Sequence, residues 1–194
     1  MTVPDLTTPI FNLRGEKVAL GPLRRDLIPV YTRWVNEFEG QFTFSSVEPI
    51  TKEQRTASYE RWSRDREDTT FTIYEAASLR PVGMTGIWIL DRFAHSGFIF
   101  IYIGAKERRG RGYGGEAMAL VMDYGSHALN LQSLEVTVIA SNIAGIRAYQ
   151  RAGFRIIGRR REAVRVGNRI EDFLYMHCLA EEFHSPALAR LPDV

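Results

Sequence analysis

The chain is poor in cysteine: Cys178 stands alone in 194 residues, which excludes an intramolecular disulfide. No pair of cysteines or histidines falls at zinc-ligand spacing, so no metal is expected. Cys178 lies in an apolar, strand-like run and reads as a buried, inert thiol. Long hydrophobic runs are absent too. None approaches the roughly 18 apolar residues that a membrane span requires, so no membrane partner is expected. Met1 to Asp5 lacks the charged-then-apolar pattern of a signal peptide, which makes cytoplasmic residence the expectation. Excess charge of one sign is also missing. Lys and Arg total 25 against 23 Asp and Glu, a net +2, too little for the basic footprint of a nucleic-acid binder.

What is present is ordinary in amount. Hydrophobic residues make up 45% and charged residues 25%, the balance of a soluble globular protein. The length suits one domain with its own core, residues 1–194, with 1–14 as a lead-in and 180–194 as a tail.

Periodicity supplies the element order. Lys17 to Leu20 reads as a strand. Leu27, Val30, Tyr31, Trp34 and Val35 share one helical stripe, with Asp26 as the expected cap and Gly40 as the stop. Thr51 with Gln54 three residues later is a capping-box signature for a second helix. Thr70 to Glu75, Pro81 to Leu90 and Gly97 to Gly104 read as an antiparallel meander. A helix with apolar Ala117, Leu120, Val121, Tyr124 and Ala128 follows, then a strand from Leu134 to Ile139 and a short helix from about Ile143 to Arg151, closed by Gly153. Arg155 to Val166 and Arg169 to Leu179 flank Gly167-Asn168 as a closing hairpin. The fold class is therefore α/β, more strictly α+β. It predicts a mixed, mostly antiparallel sheet of about seven strands flanked by about four helices.

The densest chemistry lies in Arg108-Arg109-Gly110-Arg111-Gly112-Tyr113-Gly114-Gly115. Glycines bring backbone N–H groups close to a ligand, and a helix start adds unpaired donors and the positive end of a dipole. Two arginines add full charge. That combination suits a pyrophosphate. Gly110, Gly112 and Gly115 formally spell the dinucleotide fingerprint, but the antiparallel strands upstream do not suit a parallel βαβ sheet. No Gly-Lys-Ser/Thr follows, which removes a Walker loop.

Arg109 to Gly114 also reads R-x-x-G-x-G. Downstream come Asn142, Tyr149 and Gly153-Phe154 in order. Together these resemble the GNAT superfamily of acetyl-CoA-dependent N-acetyltransferases over roughly residues 16–180. The aromatic-rich first helix with Trp34-Val35-Asn36 is similar to its RimJ/RimL-type branch. The resemblance implies a sheet splayed at the cofactor site, where Ile101, Tyr102 and Ile103 offer free backbone to the pantetheine arm of acetyl-CoA. It implies that the N–H groups of residues 110–115 hold the pyrophosphate, with Arg109 and Arg111 beside it. It implies a cofactor contact for Asn142 and the role of acid toward the departing thiolate for Tyr149. The two lie seven residues apart on one helix face, and a phenol near its ordinary pKa of about 10 can donate to sulfur.

The strand before the loop holds no carboxylate, so a general base does not carry over. Glu135, Glu75, Asp91 and His177 stay open for that role. The acceptor pocket is expected at the first two helices, the segment between them and the closing hairpin, a region rich in Trp34, Phe42, Phe44, Tyr59 and Trp62. Glu37 and Glu39 are candidate attractors for a cationic acceptor. The acceptor is a small amine or a protein N-terminus. A non-catalytic acyl-CoA-binding module is the alternative function, and the oligomeric state stands open between monomer and homodimer.

Overall fold

The computed structural model describes residues 9–37, 48–64, 68–166 and 168–184. Eight strands form one sheet in the order β1-β2-β3-β4-β5-β6-β8-β7. They are β1 (Leu13–Arg14), β2 (Val18–Pro22), β3 (Thr69–Glu75), β4 (Pro81–Asp91), β5 (Ser96–Ile103), β6 (Ser133–Ile139), β7 (Arg155–Val166) and β8 (Arg169–Leu179). Four α-helices lie among the described residues: α1 (Ile28–Asn36), α2 (Lys52–Trp62), α3 (Tyr113–Asp123) and α4 (Ile143–Arg151). Every neighbouring pair of strands is antiparallel except β5 and β6, which run parallel.

Alternation along the strands sets the two faces. Ile87, Ile99, Leu134, Val136 and Met176 point to one face, where α3 covers them with Ala117, Met118 and Val121. All eight are at most 2% exposed, so this is the main core. On the other face a smaller cluster joins Met84 and Tyr102 to Tyr31 and Trp34 of α1. Polar tips fix that helix in place. Tyr31 Oη bonds Thr72 Oγ1 at 2.6 Å, and Tyr102 Oη donates to the Trp34 carbonyl at 2.8 Å. Gly104 lies flat against Trp34. A Cβ there would sit 2.2 Å from the indole, so only glycine lets α1 ride over the end of β5.

Asn36 then clasps the next element. Its Oδ1 accepts from Ile50 N at 2.8 Å while Nδ2 donates to the Ile50 carbonyl at 2.7 Å. The expected Thr51/Gln54 capping box opens α2 in both directions. Gly153, at φ +107°, follows α4 as expected and turns the chain into Phe154.

Several expectations need amendment. An eighth strand, β1, falls inside the presumed lead-in, where two residues pair with Ala19 and Leu20. Two residues are too few to give a periodicity. Asp26 does not cap α1. A 3-10 turn over Arg25–Leu27 comes first, and the Asp26 carboxylate accepts from Arg24 Nε at 2.9 Å and Nη2 at 2.8 Å instead. The stripe from Ala117 to Ala128 is not one regular helix: Tyr124–Ala128 winds as a wider π turn after Asp123. Gly40, Phe42, Phe44, Glu39 and Gly167 lie outside the described residues, as do 1–8 and 185–194. Cys178 is buried at 1% exposure, and burial pushes its thiol up to about 11.

The first turn of α3 also locks the β1–β2 turn. Glu116 accepts three backbone N–H groups, from Glu16 at 2.9 Å, Lys17 at 2.8 Å and Val18 at 2.7 Å. Glu116→Ala is expected to lower stability by about 1–3 kcal/mol, since a charged acceptor is lost and three donors are stranded. Differential scanning calorimetry checks this; an unchanged Tm would remove the clamp.

Candidate active site

Pairing between β5 and β6 stops early. Ser96 to Phe98 pairs with Ser133 to Glu135, and there the ladder ends, although β5 continues to Ile103 and β6 to Ile139. From Ile99 onward β5 keeps only β4 as a neighbour. The two strands therefore part, as the resemblance implies, and leave a row of backbone groups beside Ile101, Tyr102 and Ile103. The Tyr102 side chain is committed to the α1 cluster, so its part at the fork falls to its backbone.

The Arg/Gly loop begins where β5 ends. A 3-10 turn over Lys106–Arg108 leads to extended Arg109, then to Gly110 at φ +75° and Gly112 at φ +85°. Left-handed backbone at these two positions is why glycine is required. The first helical bond of α3 runs from Glu116 N–H to the Gly112 carbonyl, so the N–H groups of Tyr113, Gly114 and Gly115 precede it. No side chain caps this helix start. A Cβ built at Gly110 or Gly115 would meet nothing within 4 Å, and one at Gly114 would meet Ile103 Cγ1 at 3.7 Å. The arrangement is an open, donor-rich helix end resting against the last residue of β5. Arg111 is exposed beside it. Arg109 bridges loop and strand: its Nε donates to the Ile103 carbonyl at 3.0 Å and its guanidinium stands 5.8 Å over the Tyr102 ring.

Glu75 holds this loop from below, a role the sequence did not disclose. It accepts from Ser78 Oγ, from Tyr113 Oη and from Arg108 Nη1 at 2.6 Å. These hydrogen bonds, Ser78's first and Tyr113's next, hold its carboxyl below the ordinary carboxylate range. Arg108 is thus a structural cation, and Tyr113 carries the start of α3 to the end of β3. No spacing signal links Glu75 to residues 33 and 38 positions away.

On α4, Asn142 is the helix cap. Its Oδ1 accepts from Gly145 N at 3.0 Å, which leaves its NH2 group as a donor. Gly145 permits the closure, since a Cβ there would lie 2.7 Å from that amide nitrogen. Tyr149 packs onto the core that also receives Ile101, Ile103 and Ile146, with its ring 6.2 Å from Phe154. Burial pushes its phenol up to about 12. The ring is held by packing, and the hydroxyl stays protonated at neutral pH.

Two of the four candidate bases are spent on structure. Glu75 is the loop anchor, and Asp91 accepts from Phe93 N at 2.7 Å and Ala94 N at 3.0 Å to shape the β4–β5 turn. Glu135 and His177 face one another across β6 and β8, and Glu135 pairs with Phe98 at the last rung before β5 and β6 part. On the acceptor side, Trp34 is core at 5% exposure. Tyr59 and Trp62 carry cation contacts from Arg25 and Arg55, each 5.4 Å from the ring. Glu37 lies 3.8 Å from the Lys106 ammonium. Among the described residues no three His, Cys, Asp or Glu side chains gather as a metal site, and no helix is long and apolar enough to cross a membrane.

Comparison with known proteins gives concordant findings. Residues 17–155 match the family described as Acetyltransferase (GNAT) domain. The human alpha/beta-tubulin-N-acetyltransferase 9 is 29% identical over 154 residues, covering 73% of this chain and 74% of that protein. The probable N-acetyltransferase YjcK of Bacillus subtilis is 29% identical over 119 residues, 61% of this chain and 66% of its own. Among solved structures, the spermidine N-acetyltransferase of Vibrio cholerae in complex with CoA and spermine superposes with a TM-score of 0.79 at 20% identity, over 87% of this chain and 98% of that one. The structural likeness establishes the shared fold.

The Glu75 anchor generates a pH expectation. Its folded-state pKa is depressed, so its stabilisation is full above the unfolded carboxylate range near about 4.3 and fades as pH falls below it. Glu75→Gln is expected to lower Tm at neutral pH and to flatten the acid side of the stability curve between pH 5 and 3. Thermal melts across that range check it; parallel wild-type and variant curves would contradict it.

Proposed function

Since the chain belongs to the GNAT acetyltransferase family and is accordingly an acetyl-CoA-dependent N-acetyltransferase, we propose that it transfers the acetyl group directly to a primary amine with Tyr149 as the acid. The observation that carries this reading is the parting of β5 and β6 beside an uncapped, glycine-lined helix end. The N–H groups of residues 110–115, with Arg109 and Arg111, receive the pyrophosphate. The free edge of β5 at Ile101, Tyr102 and Ile103 receives the pantetheine arm, and the NH2 group of Asn142 contacts the same arm from α4. Such holding matters because the thioester and the amine must come within about 3–3.5 Å of one another.

In the chemical step the amine nitrogen bonds to the acetyl carbon and the carbon–sulfur bond breaks. Sulfur takes the phenolic proton of Tyr149, and the nitrogen sheds one proton to a base. A phenol held near 12 remains protonated throughout the working range, so its proton is in place when the carbon–sulfur bond breaks. A backbone N–H of the free β5 edge is suited to the developing oxyanion, a contact of this kind being worth roughly 3 kcal/mol.

The acceptor is a small amine or a protein N-terminus. The relatives' names carry a small amine, spermidine, on one side and a protein, tubulin, on the other. We place the chain in the RimJ/RimL-type branch, on the strength of Trp34-Val35-Asn36, whose asparagine clasps the start of α2.

Tyr149→Phe tests the acid. It is expected to reduce kcat by about 10²–10⁴-fold while leaving CoA affinity within a few-fold. The wild-type rate is expected to show no alkaline loss assignable to Tyr149 below about pH 11, because deprotonation begins only as pH approaches its raised pKa. A thiol-release assay with calorimetric titration of CoA checks both, and equal turnover in the variant removes Tyr149 from the reaction.

A further inference from the structure

The sheet face opposite α3 carries one transverse row whose members lie on five strands. Trp88 pairs with Phe98, Phe98 with Glu135, Glu135 with His177, and His177 with Arg155. Directly paired residues share a face, so all five side chains rise from the same side. The row crosses the sheet at the last rung before β5 and β6 part. At one end it is aromatic: Trp88 stacks on Phe98 at 5.6 Å and on Phe100 at 5.0 Å. Gly86 makes room for this stack, since a Cβ there would lie 2.7 Å from the Phe100 ring. Trp88 remains 38% exposed. At the other end the face is basic. Arg155 and, through its pairing with Phe173, Arg160 lie on the β7 side. Arg155 has Glu182 at 2.8 Å and the neighbouring Arg159 has Asp172 at 2.5 Å. Among the described residues, no carboxylate lies within salt-bridge distance of exposed Arg160.

Within the reading given under the proposed function, we infer that this face receives the acceptor, and that the acceptor is the free N-terminus of a peptide bearing acidic residues a few positions in, not a polyamine. One carboxylate at the fork, Glu135, meets one ammonium. The Trp88–Phe98–Phe100 stack meets the apolar first residue. Arg160 meets the downstream carboxylates. From Glu135 to Arg160 the sheet spans four residues along the strand and two strands across, roughly 16 Å. An extended peptide covers that with about five residues, fewer once side chains reach out. A polyamine would instead lay its second and third charges toward the arginines of β7, where like charges repel. The amine side of the fork is then the Glu135 face and the leaving-thiol side is the Tyr149 face, so attack and departure proceed from opposite faces of the sheet.

The test uses the CoA-loaded protein for calorimetry and the acetyl-CoA-supplied protein for thiol release. The probes are two ten-residue peptides with the same apolar first residue and free α-amine, carrying Glu or Lys at the third and fourth positions, with spermidine as the third. The acidic peptide is expected to bind and react at least about tenfold better than the basic one. Arg160→Glu is expected to abolish or invert that ratio, and Trp88→Ala to weaken both peptides alike and leave the ratio intact. Equal use of the two peptides, a preference for spermidine, or an unchanged ratio in Arg160→Glu overturns the inference. Charge-selective binding without thiol release would uphold this surface and sink the transferase reading; thiol release without charge selectivity would do the reverse.

Discussion

Strands β5 and β6 are joined by three residue pairs, from Ser96/Ser133 to Phe98/Glu135, and then each is held by a different neighbour. β4 keeps β5 in register down to Ile103, while β8 keeps β6 in register down to Ile139. The gap is therefore built by two well-paired outer ladders and not by weakness in the strands themselves. Unpaired backbone is costly unless something satisfies it. A fold that maintains such a gap presents a standing demand for an extended, hydrogen-bonding guest, and everything else at the site is arranged around its two open sides.

The arrangement separates tasks by element. The end of β5 feeds the glycine loop, and the loop feeds α3, whose first turn no side chain caps. Charge near the start of α3 is sorted with care. Glu116, an acidic side chain in the first turn of α3, is occupied by three N–H groups of the β1–β2 turn. Glu75 is occupied by Ser78, Tyr113 and Arg108. Both carboxylates near the start of α3 are thus satisfied by protein donors, while Arg111 stays exposed toward solvent. Asp91 is occupied in the same way: two amide donors in a tight turn have claimed it.

The legible parts of this fold were those with a short-range physical signature. Thr51 and Gln54 announced a capping box because that motif closes within four residues. The strands of the meander and the final hairpin showed in alternation and β-branched content, and the loop showed in its glycines. What escaped either carries no sequence signature or needs long-range contact to exist at all. The Arg24–Asp26 pair took Asp26 away from α1, and the π turn after Asp123 widened a stripe that looked regular. Glu75 looked like one of several candidate bases until the sheet carried it beneath a loop more than thirty residues downstream. The row from Trp88 to Arg155 was equally hidden, because register between strands decides it and no single segment encodes register.

The outermost strand, β7, has a consequence for how copies of this protein meet one another. It is twelve residues long and its outer edge has no neighbouring strand in the sheet order. Such an edge is a ready template for runaway self-association. Here the ladder slips twice, between Ile156 and Gly158 and between Arg160 and Val164, and Glu162 adopts φ +50° at the second slip. The broken rhythm and the crowd of guanidinium groups deny an incoming strand a flat partner. Exposed Ile156 and Ile157 therefore lie on an irregular margin, flanked by the exposed guanidinium groups of Arg155, Arg159 and Arg160, and not on a smooth apolar one.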